Sequence, residues 1–348
     1  MSKKTSKRKG YLFLFTLLVG VASYFAYNYF ILNKASLKNN AYVFLYIEKN
    51  DGYNELLAKI ESQELVENIE AFEWLASRMD LEENLHPGKY RITNGMNARQ
   101  IINLLKYNKQ EKVKLSYNSQ IHNLEEFVEY TDLKLELSAD ELNDWLDDEE
   151  KLEAHFSLHP GNALALVVPG VYEVSWAITA DELFKLFREK FRKVWTEARK
   201  KQAKNLGYSI SEIMIMASIV QSESGIASEQ AKIAGVYFNR LERGMLLQAD
   251  PTLKFANENF DAQRLLNEDK EINSPYNTYK YKGLPPGPIA LVSTQAIDAT
   301  LNYKKHNFLF FCAKPGLNGY SDFSVNYEQH QKFASAYQKA LDQKGINR

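Results

Sequence analysis

A chain of 348 residues, 45% hydrophobic, is long enough for two or three domains with real cores. Its net charge of −1 gives no basic surplus for nucleic-acid binding, and its single cysteine, Cys312, excludes an internal disulfide or a zinc cluster. Cys312 lies in the apolar run Phe308-Leu-Phe-Phe-Cys-Ala and reads as a small packing residue.

In chain order, residues 1–10 are strongly basic, and the run from Tyr11 to Leu32 carries no charge. About 20 apolar residues span a bilayer as a helix. The basic flank places the amino terminus in the cytoplasm and the remainder outside. A cleaved signal peptide would have a shorter core and a small-residue cleavage site, so 11–32 reads as an uncleaved transmembrane helix.

Tyr42-Val-Phe-Leu-Tyr-Ile then predicts a strand, Tyr53–Ile60 and Val66–Ser77 predict helices, and Pro87-Gly-Lys-Tyr-Arg-Ile predicts a turn and a strand. Asn97 is placed to cap a helix bearing Ile101, Ile102, Leu104 and Leu105. The pattern returns: Val113-Lys-Leu-Ser-Tyr predicts a strand and Leu124–Tyr130 a helix. Pro169-Gly-Val-Tyr-Glu-Val, followed by a helix from Ala180, then matches Pro87–Leu105 without a gap. Two related strand–helix–helix–strand units are therefore expected. The acidic run around Glu149 and Glu150 reads as a solvated face, and 181–204 as one long charged helix.

The character changes at Ser209. Ser209 and Glu212 make a capping-box pair, and Ile213, Met216, Ala217 and Val220 share one helical face. Glu223 prolongs that face, and Gly225 suits the position just past the helix end. A carboxyl group at the end of an apolar stripe is expected to hold its proton near neutral pH, which suits a general acid. The alternative is a helix-terminal Glu turned to solvent. A second helix is predicted over 228–243, ended by Gly244. The Pro-, Gly- and Asn-rich stretches that follow predict ordered loops lined with amides, hydroxyls and rings that can grip a sugar.

Several segments of this region carry a family resemblance: Ala217-Ser-Ile-Val-Gln-Ser-Glu223, Val236-Tyr-Phe-Asn239-Arg240-Leu, Gly244-Met-Leu-Leu-Gln248-Ala-Asp250-Pro251-Thr252, Tyr276-Asn277-Thr278-Tyr279 and Gly283-Leu-Pro-Pro-Gly287-Pro-Ile. Their order and content resemble the endolytic murein transglycosylase (MltG, YceG-like) family over most of 209–290. The resemblance implies that Glu223 is the catalytic glutamate and peptidoglycan glycan the substrate. It also implies an amino-terminal LysM-like region and a site on the outer face of the cytoplasmic membrane, with a peptidoglycan synthase as a candidate partner. Gly319-Tyr-Ser-Asp-Phe323 departs from the family's Gly-His-x-Phe element, so no role of that histidine transfers.

The fold class expected is thus α+β: a basic tail (1–10), a transmembrane helix (11–32), a LysM-like module (41–110), a second related module with a linking helix (111–205) and a mixed α/β catalytic domain (206–348). Gln248, Asn277, Thr278 and Tyr279 are the candidate substrate-binding residues. Asn239, Arg240 and Asp250 are the candidate supports, Asp250 reading either as a turn residue or as the second carboxylate of a hydrolase. No histidines are read as metal ligands, and no cofactor is expected. The reaction expected is cleavage of the β-1,4 bond between N-acetylmuramic acid and N-acetylglucosamine without water, leaving 1,6-anhydro ends. The alternatives are a muramidase-type hydrolase and a non-catalytic peptidoglycan-binding scaffold.

Overall fold

The computed structural model of the protein describes residues 3–30, 34, 35, 37, 40–156, 160–260, 262, 265–316 and 318–343, and side chains within these except at 3–10, 28–30, 154–156, 160 and 161. By contacts the chain forms two units: 1–114 with 134–136 and 173–178, and the remainder.

The first unit opens with helix α1 (Lys3–Phe30). All side chains from Tyr11 to Tyr27 are exposed. Among the described residues no helix is long and apolar enough to cross a membrane. The expected span 11–32 runs past them, its last two residues lying outside the described ones. Strand β1 (Tyr42–Ile47), helices α2 (Tyr53–Ser62) and α3 (Ile69–Arg78), strand β2 (Gly88–Thr93) and helix α4 (Ala98–Lys106) then follow the predicted order. α3 starts three residues later than its apolar pattern, because the Asn68 side chain caps it by accepting from the Ala71 N–H at 2.6 Å. β1 and β2 pair antiparallel, Tyr42 opposite Thr93 and Ile47 opposite Gly88. The inward residues Leu45, Ile47, Tyr90 and Ile92 meet Leu56, Ile60, Phe72, Leu75, Ile101 and Ile102 in one core.

Strand β3 (Val113–Tyr117), helices α5 (Leu124–Asp132) and α6 (Ala139–Leu146), strand β4 (Gly170–Val174) and helix α8 (Ala180–Val194) follow the same order, but a third helix, α7 (Glu149–Phe156), stands before β4, so the second copy departs from the expected strand–helix–helix–strand unit. β3 and β4 lie side by side in a second two-stranded sheet. The two copies share a detail beyond the pattern. Tyr90 donates its hydroxyl to the His86 carbonyl at 2.8 Å and Tyr172 to the Val168 carbonyl at 2.6 Å, four residues back in each case. Thr179 caps α8 as Asn97 caps α4. The second copy's core is aromatic: Tyr117, Phe127, Phe184 and Phe187 are buried, and Trp145 stacks on Phe184 at 3.7 Å.

The single long helix expected over 181–204 is two. α8 ends at Val194, and α9 (Glu197–Leu206) restarts after Thr196, whose hydroxyl caps it. The break buries Trp195, and Arg199 of α9 grips Asp298 with two hydrogen bonds of 2.7 and 2.8 Å. Beyond lie α10 (Ile210–Glu223), α11 (Ala227–Glu242), α12 (Asp250–Ala256) and α13 (Thr294–Leu301), strands β5 (Phe310–Ala313) and β6 (Ser321–Ser324) paired antiparallel, and α14 (Tyr327–Gln343). Cys312 lies in β5, only partly buried, and burial pushes its thiol up to about 11.

α10 is the axis of this region. Its expected single apolar face proves too narrow a description, because every residue from Ile213 to Val220 is buried. α9, α11, α12 and α13 surround it. A helix apolar all round is a core helix, and with Glu212 spent on its N-terminal cap, Glu223 at the other end is the informative charge.

Candidate active site

Ser209 starts α10 as the pattern predicts: its hydroxyl accepts from the Glu212 N–H, and the Glu212 carboxylate accepts from the Ser209 N–H at 2.7 Å. The other end differs from expectation. Glu223 is the last helical residue and Ser224 is extended, but Gly225 is not left-handed. The helix is closed by side chains instead. Gln230 donates to the Ser224 carbonyl at 2.7 Å, and Gln295 to the Gly225 carbonyl at 3.1 Å. These bonds fix where Glu223 emerges.

The Glu223 side chain is partly buried at the end of α10. Burial raises it from the usual carboxylate value to about 7, and the nearby Asp250 charge adds to the rise. The Tyr237 hydroxyl, on α11, donates to Glu223 Oε1 at 2.6 Å and acts in the opposite direction by favouring the ionised form, as do Lys254 and Arg240. A carboxyl near 7 is populated in both protonation states at neutral pH, the condition for giving and then taking a proton.

Arg240, three residues after Tyr237 on α11, is buried. It donates to the carbonyls of Leu309 and Leu247, each at 2.7 Å, and to Gln248 Oε1 at 3.3 Å. Gln248 itself is left-handed at φ 50°, and its N–H bonds the Thr278 carbonyl at 3.1 Å. It is exposed, and with its Oε1 engaged its amide nitrogen is the group it can offer a ligand. Asp250 stands in the first turn of α12 and is exposed. Tyr279 donates to Asp250 Oδ1 at 2.5 Å, and burial raises the Tyr279 phenol pKa, the Asp250 charge adding to it.

Asn277 and Thr278 are buried, and their polar groups are spent inside the loop. Asn277 Nδ2 donates to the carbonyls of Lys270 and Ile272, and its Oδ1 accepts from the Tyr279 N–H. Thr252 donates to the Ala249 carbonyl, so the 2.8 Å contact between Thr252 and Thr278 hydroxyls must be donated by Thr278. Thr278 Oγ1 also accepts from the Ala249 N–H at 3.0 Å. Of these two residues, read as ligand contacts from their type, Thr278 therefore zips the 277–279 loop to the 248–252 turn, and Asn277 ties the same loop to 270–272. Asn239 is likewise a brace. Its amide donates to the carbonyls of His306 and Phe308 at 2.8 and 2.9 Å. His306 is locked in turn, with Nε2 on the Lys232 carbonyl and Nδ1 accepting from the Phe308 N–H.

Glu223, Arg240, Gln248, Asp250 and Tyr279 are thus brought to one place, with Asn277, Thr278 and Asn239 holding the segments behind. Sequence reasoning missed Tyr237, although it stands in the quoted Val236-Tyr-Phe-Asn239-Arg240 run, three residues before Arg240 on the same helical face. It also missed Gln221, whose amide bonds both the Leu291 carbonyl and the Ser293 N–H at 2.9 Å. Nothing local marks such a residue.

Comparison with known proteins matches a YceG-like family model to residues 45–336. The chain is 37% identical over 150 residues to an endolytic murein transglycosylase of Bacillus subtilis (strain 168), covering 43% of this chain and 41% of that protein. It is 24% identical over 353 aligned positions to an endolytic murein transglycosylase of Streptococcus pneumoniae serotype 2 (strain D39 / NCTC 7466), covering 92% of this chain and 63% of that one. The matches therefore span less than two thirds of either relative's length. A crystal structure of a YceG-like protein from Listeria monocytogenes shares the fold, with a TM-score of 0.55 at 23% identity over 84% of this chain and 98% of that one.

Proposed function

Because the chain belongs to the YceG-like family, we propose that it is an endolytic murein transglycosylase that cleaves peptidoglycan strands between N-acetylmuramic acid and N-acetylglucosamine without water. The single observation that carries this reading is the Glu223 carboxyl, raised to about 7 by burial while hydrogen-bonded by Tyr237. Protonated Glu223 gives its proton to the glycosidic oxygen as the C1–O bond breaks. The resulting carboxylate takes the proton of the muramyl C6 hydroxyl, whose oxygen bonds to C1 and leaves a 1,6-anhydro end. One group serves both steps, and its proton is restored at the end of the cycle. The C6 hydroxyl has the advantage of a tethered nucleophile.

Gln248 and Tyr279 are the proposed sugar contacts, with Asn277, Thr278, Asn239 and Arg240 holding the loops that present them. A hydrolase would need a second free carboxylate. The candidate, Asp250, is held by Tyr279. A single-pass anchor at 11–32, with 1–10 cytoplasmic and the catalytic region (206–348) outside, is the proposed topology. The exposed apolar side chains of 11–27 support it. The copies at 41–110 and 111–205 are proposed as substrate-facing modules, the first LysM-like.

Digestion of purified peptidoglycan in ¹⁸O-water, read by mass spectrometry, tests the chemistry. Unlabelled 1,6-anhydro ends are expected, with activity largely kept in Asp250→Asn. Glu223→Gln is expected to lower turnover by roughly 10²–10⁴. Labelled reducing ends that vanish in Asp250→Asn would make the protein a hydrolase.

A further inference from the structure

The charged side chains that act on the Glu223 carboxyl are Arg240, Asp250 and Lys254, with the phenols of Tyr237 and Tyr279 as its neutral neighbours. Two of the three charges are committed. Arg240 spends its guanidinium on the Leu309 and Leu247 carbonyls and on Gln248. Asp250 accepts from the Tyr279 hydroxyl at 2.5 Å. Lys254, half-buried on α12, is not: among the described residues its ammonium has no hydrogen bond and no ion pair. Other lysines of this unit are placed. Lys232 pairs with Glu229 at 2.8 Å and Lys280 with Glu271 at 3.1 Å, and Lys270 rests 5.4 Å from the Tyr279 ring centroid.

The local sequence offers Lys254 a partner, and the fold withholds it. Asp250 and Lys254 stand four apart on α12 with the acid first, the order in which such a pair bonds along a helix. Tyr279 holds Asp250 instead. The spacing still puts both residues on one face of α12, and both charges reach Glu223 at the end of α10, which packs against α12. For a general acid the Lys254 charge is a hindrance. A cation near Glu223 favours the ionised form, the wrong one for giving a proton. A group that opposes the acid and supports no neighbour answers to a charge that the free protein does not contain.

We infer that Lys254 is a substrate-binding residue that takes a carboxylate of the peptide stem on the muramyl sugar at the scissile bond. The inference rests on the substrate proposed above. The bond broken there is at muramyl C1, and the stem is carried on C3 of the same ring, so every productive complex of a native strand brings a stem to the site. The other proposed sugar contacts, Gln248 and Tyr279, are uncharged and cannot tell a stem-bearing strand from a bare one by charge. An ammonium that donates to a carboxylate can, because such a bond is stronger than a neutral one. The pairing also offsets the pull of the cation on Glu223. The stem that identifies the substrate thereby lets the acid keep its proton until cleavage.

The test compares cleavage of soluble strand oligosaccharides, with stems and freed of stems by an amidase, by the full chain in detergent. New chain ends are counted to give kcat/KM for each, and the ratio of the two values is the readout. The ratio is needed because removing the cation also moves Glu223 itself, which shifts both substrates together. The wild type should prefer stem-bearing chains by about tenfold, the scale of one hydrogen bond to a charged group. Lys254→Met, which keeps the length of the side chain, should bring the ratio close to one, and Lys254→Arg should keep most of the preference. Wild-type protein should lose the same factor on chains whose stem carboxylates have been converted to amides, with no substitution at all. A wild type without preference, a Lys254→Met ratio equal to that of the wild type, or amidated stems cut as well as native ones overturns the inference. The catalytic reading is scored apart, by the kind of end released. Reducing ends that carry oxygen from water, in place of anhydro ends, remove the transglycosylase reading and leave the ratio to judge Lys254. A wild type that cuts neither preparation removes both.

Discussion

Replacing Glu223 by Gln should stabilise the protein, and only above acidic pH. The folded-state carboxyl titrates at about 7, against an ordinary value of 4.5, chiefly because burial disfavours its charge. Below 4.5 the group is protonated whether the chain is folded or not, so it contributes nothing to the pH dependence. Between 4.5 and 7 the unfolded chain releases the proton and the folded chain keeps it, so stability falls as pH rises. Above 7 both states are ionised and the full penalty is present. The gap of about 2.5 pH units corresponds to about 3 kcal/mol, at 1.36 kcal/mol per unit. Gln has the same shape and no charge, and its carbonyl oxygen can still accept from Tyr237. At pH 8 the variant should therefore melt higher than the wild type, on the order of 5–10 °C for a unit of this size. At pH 4 the two curves should coincide. Thermal unfolding by circular dichroism across that range is the assay. A Glu223→Gln protein that is less stable at pH 8, or one whose advantage is the same at pH 4 and 8, would refute the buried-carboxyl argument.

Tyr237→Phe removes the 2.6 Å bond to Glu223. A hydrogen bond to a charged group is worth about 1.5–3 kcal/mol, so the pKa in the pH profile of kcat/KM should move up by about 1–2 units, and an unmoved profile would count against the poising role. Gly235→Ala places a Cβ 2.5 Å from the Lys304 carbonyl oxygen and 2.7 Å from His306 Nε2. Overpacking against a backbone atom should destabilise by roughly 1–3 kcal/mol in urea titration. Thr278→Val orphans the buried Ala249 N–H and should lower stability by about 1–3 kcal/mol, with KM rising as the loop loosens; wild-type KM and urea midpoint would contradict the zipper.

The parts that were legible in the sequence are those set by neighbours in the chain. Ser209 and Glu212 bond each other across three residues, as do Asn97 and Gln100, so caps announce themselves. The repeat was legible because Tyr90 and Tyr172 each reach only four residues back. The helix break at Thr196 was not, since it serves Trp195 and the Arg199 grip on Asp298, a partner 99 residues away. Asn277 and Thr278 were recognised as site residues by type, but type does not say where the hydrogen bonds go. A loop without regular structure buries carbonyls and N–H groups that must be paired, and Asn277 meets that demand before any ligand arrives. Gly225 fails as a left-handed cap for a related reason: Gln230 and Gln295 already close that helix end.

The same division explains why one carboxyl stands out among many polar groups. Arg240, Asn239, Asn277, Gln221 and Gln230 direct donors at backbone carbonyls, Arg240 also reaches Gln248, and Thr278 bonds Thr252, which makes the surroundings of Glu223 stiff. Stiffness matters for a group that must act twice. A carboxyl in free water would be ionised at neutral pH and useless as an acid. One buried with no partner would hold its proton too tightly to serve as a base. Burial at the end of α10 pushes one way, and the Tyr237 hydroxyl pushes the other. The balance near 7 survives only if neither the helix end nor the tyrosine can shift, and the glutamines and the α11 bonds hold both.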